Sequence, residues 1–443
     1  MNPIPEKKAY IVAIDMGYGH QRAVFPLLKI ATTPKSWNIQ NPLIISANDY
    51  PGIPKTDKSR WDKTRKIYEG ISRMRGFPIL GKRVFHVMSY VQKIENFYPR
   101  RNLSKPTFPI KLVYQMIKHG MGKHLIEILN QNPLPMICSF PIPAFCAEEH
   151  GYQGDIYCLC TDADVARSWA PLNPQKSRII YLTPTIRTKE RLIMYGVKSE
   201  NIIVSGFPLP TETLDETLIS SLTRRIIKLD PQNIYQKNYQ KLLSQYLGRK
   251  SVGKKTEKEI AAEPLTITFA IGGAGAQSDI GLKILKSLAK HIQKGEVKLN
   301  LVAGTSAWIL NKFEKAIEKF GLSEYLDAGI SIIYRPNKYE YFKDFNEILA
   351  DTDILWTKPS ELSFYVGLGL PIIMSPTLGT QEEYNQSWLH MIGAGFEQYD
   401  PRYTHEWLFD WINSGILAEA AMNGFINAPK RAAQYIEEII SSK

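Results

Sequence analysis

The chain has 443 residues, of which 44% are hydrophobic and 22% charged, so it can bury two or three hydrophobic cores and is not a disordered protein. Lysine and arginine outnumber aspartate and glutamate by 55 to 43, and the net charge of +12 favours an anionic partner or surface. No apolar run approaches the roughly 18 residues of a membrane span. The polar, proline-containing start of the sequence does not resemble a signal peptide, so we expect a cytoplasmic protein.

Short apolar segments alternate with helical patterns twice along the chain. In the first half they predict strands at residues 8–15, 43–46, 136–140, 155–160, 178–182 and 202–206. In the second half they predict strands at residues 265–271, 297–303, 330–334, 354–356 and 372–375. Strands that alternate with helices form parallel sheets. We therefore predict an α/β fold of two Rossmann-like, doubly wound domains that face each other across a cleft, with ligands beyond the carboxyl ends of the strands.

The composition also predicts where one domain ends and the next begins. Residues 1–210 form the predicted N-terminal domain, which carries a basic helical insert at residues 51–130. Residues 211–263 are rich in lysine and glutamine and predict a polar helical linker. Residues 264–443 form the predicted C-terminal domain.

The positive charge is concentrated in residues 51–125, where seventeen lysines and arginines against four acidic residues give +13. Nine aromatic residues lie in the same segment, and this mixture is typical of a surface that lies on an anionic bilayer. RNA binding uses the same residue types, but no nucleic-acid module is recognisable, and we expect no nucleic-acid partner. A simple solvated helical face is the alternative.

The four cysteines, Cys138, Cys146, Cys158 and Cys160, lie close together in the sequence but form no C-x-x-C pair. We therefore expect buried, reduced thiols and no structural zinc.

Two glycine turns follow predicted strands. Gly17-Tyr18-Gly19-His20 leads into a helix, and its glycines allow a ligand to approach the backbone. His20 would lie on the first turn of that helix and has a pKa suited to proton transfer, although it could equally cap the helix. The second turn, Gly272-Gly273-Ala274-Gly275, can hold a phosphate or simply make a tight connection.

A third group of residues follows the predicted strands at 354–356 and 372–375. Lys358, Pro359 and Ser360 predict an anion site at a helix start, with Glu361 able to accept the two hydroxyls of a ribose. The other polar candidates for contacts with a sugar are Ser363, Gly379, Thr380, Gln381, Glu382 and Asn385. A capping box from Thr380 to Glu383 is the structural alternative.

Asp162 and Asp164 form a D-x-D pair, which can bind a metal together with a nucleotide sugar. Thr161 and Asp164 could instead form a capping box. Because the chain has the two-domain pattern, we favour a site without a metal.

In order along nearly the whole chain, these motifs resemble a family of two-domain glycosyltransferases with the GT-B fold. The residues that carry the resemblance are Gly17–His20, Thr161-Asp162 with Trp169, Ser205–Pro208, Gly272–Gly275, Lys358–Ser360, Gly369–Ile373, Gly379–Asn385 and Gly393–Gly395. The most similar members are the lipid-linked enzymes: monogalactosyldiacylglycerol synthases, processive diacylglycerol glucosyltransferases and the N-acetylglucosaminyltransferase of peptidoglycan precursors. The chain departs from them at Ser360-Glu361, where the family has small residues, and it lacks a histidine between Thr161 and Trp169, where Arg167 stands.

The resemblance implies a metal-independent, inverting hexosyltransferase that needs no cofactor and moves a sugar from a UDP-sugar to a lipid or lipid-linked acceptor. The N-terminal domain would bind the acceptor, with His20 or Asp162 as the base, and the C-terminal domain would bind the donor. Such an enzyme would be peripheral on the cytoplasmic face of a membrane, in contact through residues 51–125. A nucleotide-sugar epimerase and a non-catalytic relative that binds a glycolipid or a partner protein are the alternatives.

Overall fold

The computed structural model describes residues 8–37, 44–62, 94–214, 217–248, 256–272, 275 and 277–442. The chain forms two compact units. The first unit comprises Met1–Pro208, Thr377–Asn385 and Arg431–Lys443. The second unit comprises Leu209–Pro376 and Gln386–Lys430.

The first unit is built on six parallel strands in the order β2-β1-β3-β4-β5-β6. The strands are β1 (Tyr10–Ala13), β2 (Ile44–Ser46), β3 (Met136–Cys138), β4 (Ile156–Leu159), β5 (Ile180–Thr183) and β6 (Ile202–Val204). The helices are Gly19–Val24, Phe108–Lys118, Lys123–Leu129, Pro141–Glu149, Ile186–Met194 and Ala432–Ser441, and residues 55–62 are also helical. Shorter 3-10 helices are Phe25–Ile30, Lys35–Trp37, Arg167–Trp169, Pro174–Lys176 and Ser199–Asn201.

The second unit has its own parallel sheet, in the order β12-β11-β10-β7-β8-β9. Its strands are β7 (Leu265–Ala270), β8 (Val297–Gly304), β9 (Ile330–Tyr334), β10 (Ile354–Thr357), β11 (Ile372–Met374) and β12 (Gly395–Glu397). The α-helices of this unit are Thr217–Leu229, Ile234–Asn238, Gln240–Leu247, Glu257–Ala261, Ser278–Gln293, Ala307–Lys319, Lys338–Leu349, Thr404–Asn413 and Ile416–Asn427. Its 3-10 helices are Thr211–Thr213, Ser323–Tyr325, Glu361–Leu368 and Pro401–Tyr403, and the helix Thr380–Met391 begins in the first unit and ends in the second.

The apolar runs form strands because each central strand is covered on both faces, which favours uninterrupted hydrophobic sequence over alternation. All four residues of β1 and all six of β7 are buried. The two six-stranded parallel sheets, each in its own unit with helices around it, confirm the predicted α/β fold class. Strand β12 was not predicted.

The segment expected as a linker, residues 211–263, is helical in its described parts and packs within the second unit. The helix Thr217–Leu229 buries Leu222 and Arg225, and the Arg225 guanidinium donates to the carbonyl oxygens of Thr352, Leu368 and Leu349, each at 2.7 Å. The helix is therefore part of the core of that unit.

The basic insert is described at its two ends only. Within the insert, residues 55–62, Phe108–Lys118 and Lys123–Leu129 are helical as expected, whereas residues 94–107 contain no helix. Residues 63–93 lie outside the described residues. The carboxylate of Asp57 accepts the backbone N–H of Gly122 and thereby connects the beginning of the insert to its end.

The prediction of buried, reduced cysteines is confirmed. All four are free and buried, and Cys138 on β3 lies opposite Cys158 on β4. Burial raises the pKa of each thiol above its ordinary value, which keeps the thiols protonated and unreactive.

Candidate functional site

In the first unit, three neighbouring strands, β1, β3 and β4, place candidate residues at their carboxyl ends. The chain leaves β1 through Gly17, whose φ of +75° lies in the left-handed region that favours glycine. The helix that follows begins at Gly19 and carries His20 in its first turn. The glycine turn after β1 is thus present as the sequence predicts.

His20 is oriented by the end of the adjacent strand β3. Its Nδ1 lies 2.8 Å from the carbonyl oxygen of Ser139, and its ring meets the ring of Phe140 edge-on at 4.9 Å between centroids. A carbonyl oxygen can only accept, so Nδ1 carries the proton and Nε2 carries the lone pair of the neutral ring. This tautomer can accept a proton at Nε2.

The loop after β4 lies close to the same aromatic ring, because Phe140 also meets Trp169 at 6.2 Å between centroids. Between Asp162 and Trp169 the sequence has Arg167 where the resembling family often has a histidine. The Arg167 guanidinium is buried and donates to the carbonyl oxygens of Ser104, Ala170 and Pro171. Its role is therefore to hold the loop.

Asp162 is half-buried and is contacted by a residue that lies more than two hundred positions later in the chain. The Asn385 side chain is fully buried and donates from Nδ2 to Oδ1 of Asp162 at 2.9 Å. The Asn385 Oδ1 accepts the backbone N–H of Ala163 at 2.7 Å. Asn385, which the sequence suggested as a sugar ligand, holds the turn that carries the second candidate base.

Asp164 differs from Asp162 although the two form a D-x-D pair. Its carboxylate is 1% exposed and binds Nε and Nη2 of Arg191 at 2.8 and 2.9 Å, with Arg187 Nε at 3.4 Å. Burial acts to lower the pKa of Arg191, but the hydrogen bond and the charge of Asp164 outweigh it and raise that pKa. Asp164 therefore has a structural ion-pair role, and the capping box from Thr161 does not form.

In the second unit, Lys358 and Gly272 lie together at the carboxyl ends of the paired strands β10 and β7. A Cβ atom built on Gly272 would lie 2.8 Å from Cε and 3.5 Å from Nζ of Lys358. The lysine side chain thus lies directly against the backbone of the glycine turn. Gly273 and Ala274 of the same predicted site lie outside the described residues.

The glycine turn is also connected to the end of β11. Gly275, with a φ of +67°, donates its N–H to the carbonyl oxygen of Gly272 at 2.9 Å. The side chain of Gln277 donates to the carbonyl oxygen of Pro376 at 2.7 Å. The loops after β7, β10 and β11 consequently meet at one edge of the second sheet.

The loop after β10 continues into a 3-10 helix, where the sequence predicts a helix start. Ser360 is the N-cap residue of Glu361–Leu368, its N–H donates to the Lys358 carbonyl at 2.8 Å, and Glu361 occupies the first position, half-buried. Pro359 is buried and precedes this turn. Ser363 and Ser375 are both buried, and neither hydroxyl oxygen has a hydrogen-bond partner among the described residues. Sequence reasoning missed Ser375, although it follows β11 directly.

The residues from Gly379 to Asn385, predicted as part of the C-terminal domain, belong to the first unit. The contacts of Asn385 explain this assignment, together with the Tyr384 hydroxyl, which donates to the Ile94 carbonyl at 3.0 Å. Glu382 is buried and its carboxylate accepts the backbone N–H of Leu378, which connects the first turn of the helix Thr380–Met391 to the loop before it. Gln381 extends back toward Gly379, with its Oε1 3.0 Å from the position of a Cβ on that glycine.

The predicted site residues therefore form two groups. Gly17, Gly19, His20, Asp162, Gly379, Thr380, Gln381, Glu382 and Asn385 lie in the first unit. Gly272, Gly275, Lys358, Pro359, Ser360, Glu361 and Ser363 lie in the second. Among the described residues, no cluster of three or more His, Cys, Asp or Glu side chains could hold a metal ion, and no helix is long and apolar enough to cross a membrane.

Comparison with known proteins gives a family match over a small part of the chain. A family model described as a domain of unknown function, DUF6938, matches residues 249–327. A search of the curated proteins found no match.

Several solved structures are similar to the whole chain at low identity. MurG from Acinetobacter baumannii is 15% identical, with 99% of this chain and 100% of that chain covered and a TM-score of 0.47. A glycosyltransferase from Rickettsia africae is 13% identical, with 98% of each chain covered and a TM-score of 0.42. The UDP-GlcNAc 2-epimerase from Methanocaldococcus jannaschii, solved with UDP-GlcNAc and UDP, is 12% identical, with 99% and 100% covered and a TM-score of 0.40.

Proposed function

We propose that the protein is a GT-B hexosyltransferase that moves a sugar from a UDP-sugar to a lipid or lipid-linked acceptor at a membrane surface, with inversion and without a metal. The observation that carries the proposal is the contact of Lys358 with Gly272 at the carboxyl ends of β10 and β7. An ammonium group beside a glycine backbone is suited to the diphosphate of a nucleotide sugar.

The second unit would bind the donor. Lys358 and the backbone N–H groups after β7 would stabilise the negative charge that grows on the diphosphate as the sugar leaves. Glu361, half-buried at the first position of the 3-10 helix, would accept the ribose hydroxyls. This arrangement supplies the charge stabilisation of the leaving group from side chains and amides.

The first unit would bind the acceptor and remove its proton. The acceptor oxygen attacks the anomeric carbon, the bond from that carbon to the diphosphate oxygen breaks, and UDP leaves with the electron pair. The proton of the acceptor hydroxyl passes to Nε2 of His20, which the Ser139 contact keeps as the basic nitrogen. Asp162 is the second candidate for this role, because it follows the carboxyl end of β4, which pairs with β3, the strand that precedes Ser139.

The membrane surface is supported by the exposed side of the helix Phe108–Lys118. Ile110, Tyr114 and Ile117 face the core, whereas Phe108 and Leu112 are 75% and 43% exposed. Exposed apolar residues one helical turn apart within a basic segment are typical of contact with an anionic bilayer.

The test is release of UDP from UDP-sugars, measured with and without a lipid extract. A transferase releases UDP only when the acceptor is present, an epimerase needs no acceptor and interconverts the sugar, and a binding protein releases nothing. Either of the last two results would refute the proposed reaction.

The role of His20 is tested by His20→Ala. We expect turnover to fall by about 10²- to 10⁴-fold, the usual contribution of a general base, while UDP binding measured by calorimetry stays unchanged. His119→Ala is the matched control, because His119 is exposed at the C-cap of the helix Phe108–Lys118 in the same unit and its Nδ1 lies 2.7 Å from the Gln115 carbonyl oxygen. Equal turnover in the two variants would remove His20 from the mechanism.

A further inference from the structure

A cavity of about 800 Å³ lies in the first unit, and neither His20 nor Asp162 is among the residues that line it. Its walls come from three segments: residues 100–102 with 104–106, residues 172–176, and residues 193, 194 and 196. The last two segments come just before β5 and β6, at the amino ends of these strands. His20 and Asp162 follow the carboxyl ends of β1 and β4, so the cavity opens at the other edge of the parallel sheet.

The cavity is positively charged. Arg100, Arg101, Lys105 and Lys176 line it, and none of the described residues that line it is acidic. Arg100 pairs with Glu190 and Arg101 with Glu95, both outside the wall.

Lys105 and Lys176 are exposed and form no ion pair with the described part of the chain. Their two charges are therefore available to an anionic ligand.

Hydrogen bonds to backbone carbonyl oxygens connect the wall segments to each other and to Arg167. The Arg167 guanidinium binds the Ser104 carbonyl at 2.8 Å, and the N–H of Leu103 donates to the Met194 carbonyl at 2.8 Å. Across the cavity, the Gln175 side chain donates to the Gly196 carbonyl at 2.6 Å. A ligand would enter a preorganised site, which lowers the entropic cost of binding.

The surroundings of the cavity are apolar as well as basic. Ile193 of the wall is 42% exposed, and Pro106 leads directly into the helix that exposes Phe108 and Leu112. A small water-soluble anion would make no use of these side chains, whereas a lipid has a phosphate for the lysines and acyl chains for the apolar residues.

We propose that this cavity binds the phosphate headgroup of an anionic membrane phospholipid and anchors the first unit on the bilayer. The proposal deepens the membrane-surface part of the function proposed above by naming the lipid class and the residues that bind it. Because the cavity lies at the opposite edge of the sheet from His20, the bound lipid is an anchor and not the acceptor.

The test is cosedimentation of the full chain with vesicles of phosphatidylcholine alone and with mixed phosphatidylcholine–phosphatidylglycerol vesicles, without a sugar donor. We expect binding to the mixed vesicles only, weakening with added salt. Lys105→Gln combined with Lys176→Gln should reduce the partition constant about 30-fold.

Lys29→Gln combined with Lys35→Gln is the matched control. It removes the same charge from exposed positions of the same unit, and its partition constant should change by less than about 3-fold. Equal decreases of the partition constant in the two double variants would refute lipid binding in the cavity and would indicate a general effect of charge.

A third variant, Phe108→Ser with Leu112→Ser, separates a lipid from a free anion. It should weaken vesicle binding, and inorganic phosphate should not displace the wild-type protein at matched ionic strength. Unchanged binding by the serine variant, displacement by phosphate, or no binding of the wild type would each refute the proposal. Vesicle binding without sugar transfer would support lipid binding in the cavity and refute the proposed reaction. Failure of the lipid site and failure of the proposed reaction are therefore distinguishable.

Discussion

The contact between Gly272 and Lys358 can be tested by a single methyl group. In Gly272→Ala the new Cβ would lie 2.8 Å from Cε of Lys358, whereas non-bonded carbon atoms are best separated by about 3.5–4.0 Å. The lysine side chain must therefore move by about 1 Å. Because this is the flexible end of a long side chain, we expect the free energy of unfolding to change by about 0.5 kcal/mol or less.

The effect on ligand binding should be much larger. A hydrogen bond from a charged group contributes about 1.5–3 kcal/mol, so displacement of the ammonium should weaken UDP binding by about 10- to 150-fold. Isothermal titration calorimetry with UDP measures the affinity, and thermal unfolding of the same sample measures the stability.

Gly275→Ala is the contrasting variant in the same turn. Its φ of +67° costs an alanine about 1–2 kcal/mol, and the added Cβ would lie 2.7 Å from Cδ1 of Ile309. This variant should lose stability, unlike Gly272→Ala.

A double-variant cycle provides the refutation. If the methyl group acts through the lysine, Gly272→Ala should cause no further loss of affinity in a Lys358→Met background. A full additional loss in that background, or wild-type affinity of Gly272→Ala alone, would show that the methyl group does not act through Lys358. Wild-type affinity of Lys358→Met alone would show that the lysine does not bind the nucleotide.

Two further predictions concern the first unit. Asp164→Asn should lower the free energy of unfolding by about 3–5 kcal/mol, because it leaves the buried Arg191 charge uncompensated. Arg187→Gln changes a partly exposed partner of Asp164 and should lower it by less than about 1 kcal/mol. Urea denaturation measures both variants, and equal losses would contradict the structural role of the Asp164–Arg191 ion pair. Asn385→Ala should lower turnover while leaving UDP affinity unchanged, because the Asn385 carboxamide holds Asp162. A loss of UDP affinity measured by calorimetry would instead indicate that Asn385 binds the nucleotide sugar.

The sequence predicts the parallel sheets well because their strands are buried on both faces and appear as continuous apolar runs. Strand β12 has only three residues, Gly395–Glu397, of which one is a large apolar residue, so it carries no such signal. It forms because the backbone of β11 is available beside it. Tertiary pairing, and not local propensity, determines this strand.

The candidate site is predictable only where the strand-end rule applies. Gly272 and Lys358 follow two strands that pair in the sheet, so their contact follows from the topology. The pairing of Asn385 with Asp162 joins residues more than two hundred positions apart through a helix and a loop, and no local pattern indicates it. Glu382 and Arg167 have the residue types of ligand-binding side chains, but both side chains form hydrogen bonds with backbone groups of the protein.

The chain passes between the two units four times, after Pro208, Pro376, Asn385 and Lys430. Neither unit therefore corresponds to one continuous fragment, and a cut near residue 263 would separate each body from pieces of itself. During synthesis on the ribosome, the first unit cannot be completed until Arg431–Lys443 has emerged, so the two bodies must mature together. An exchange of one whole body with a related protein during evolution would require three segments to be transferred at once for the first unit and two for the second.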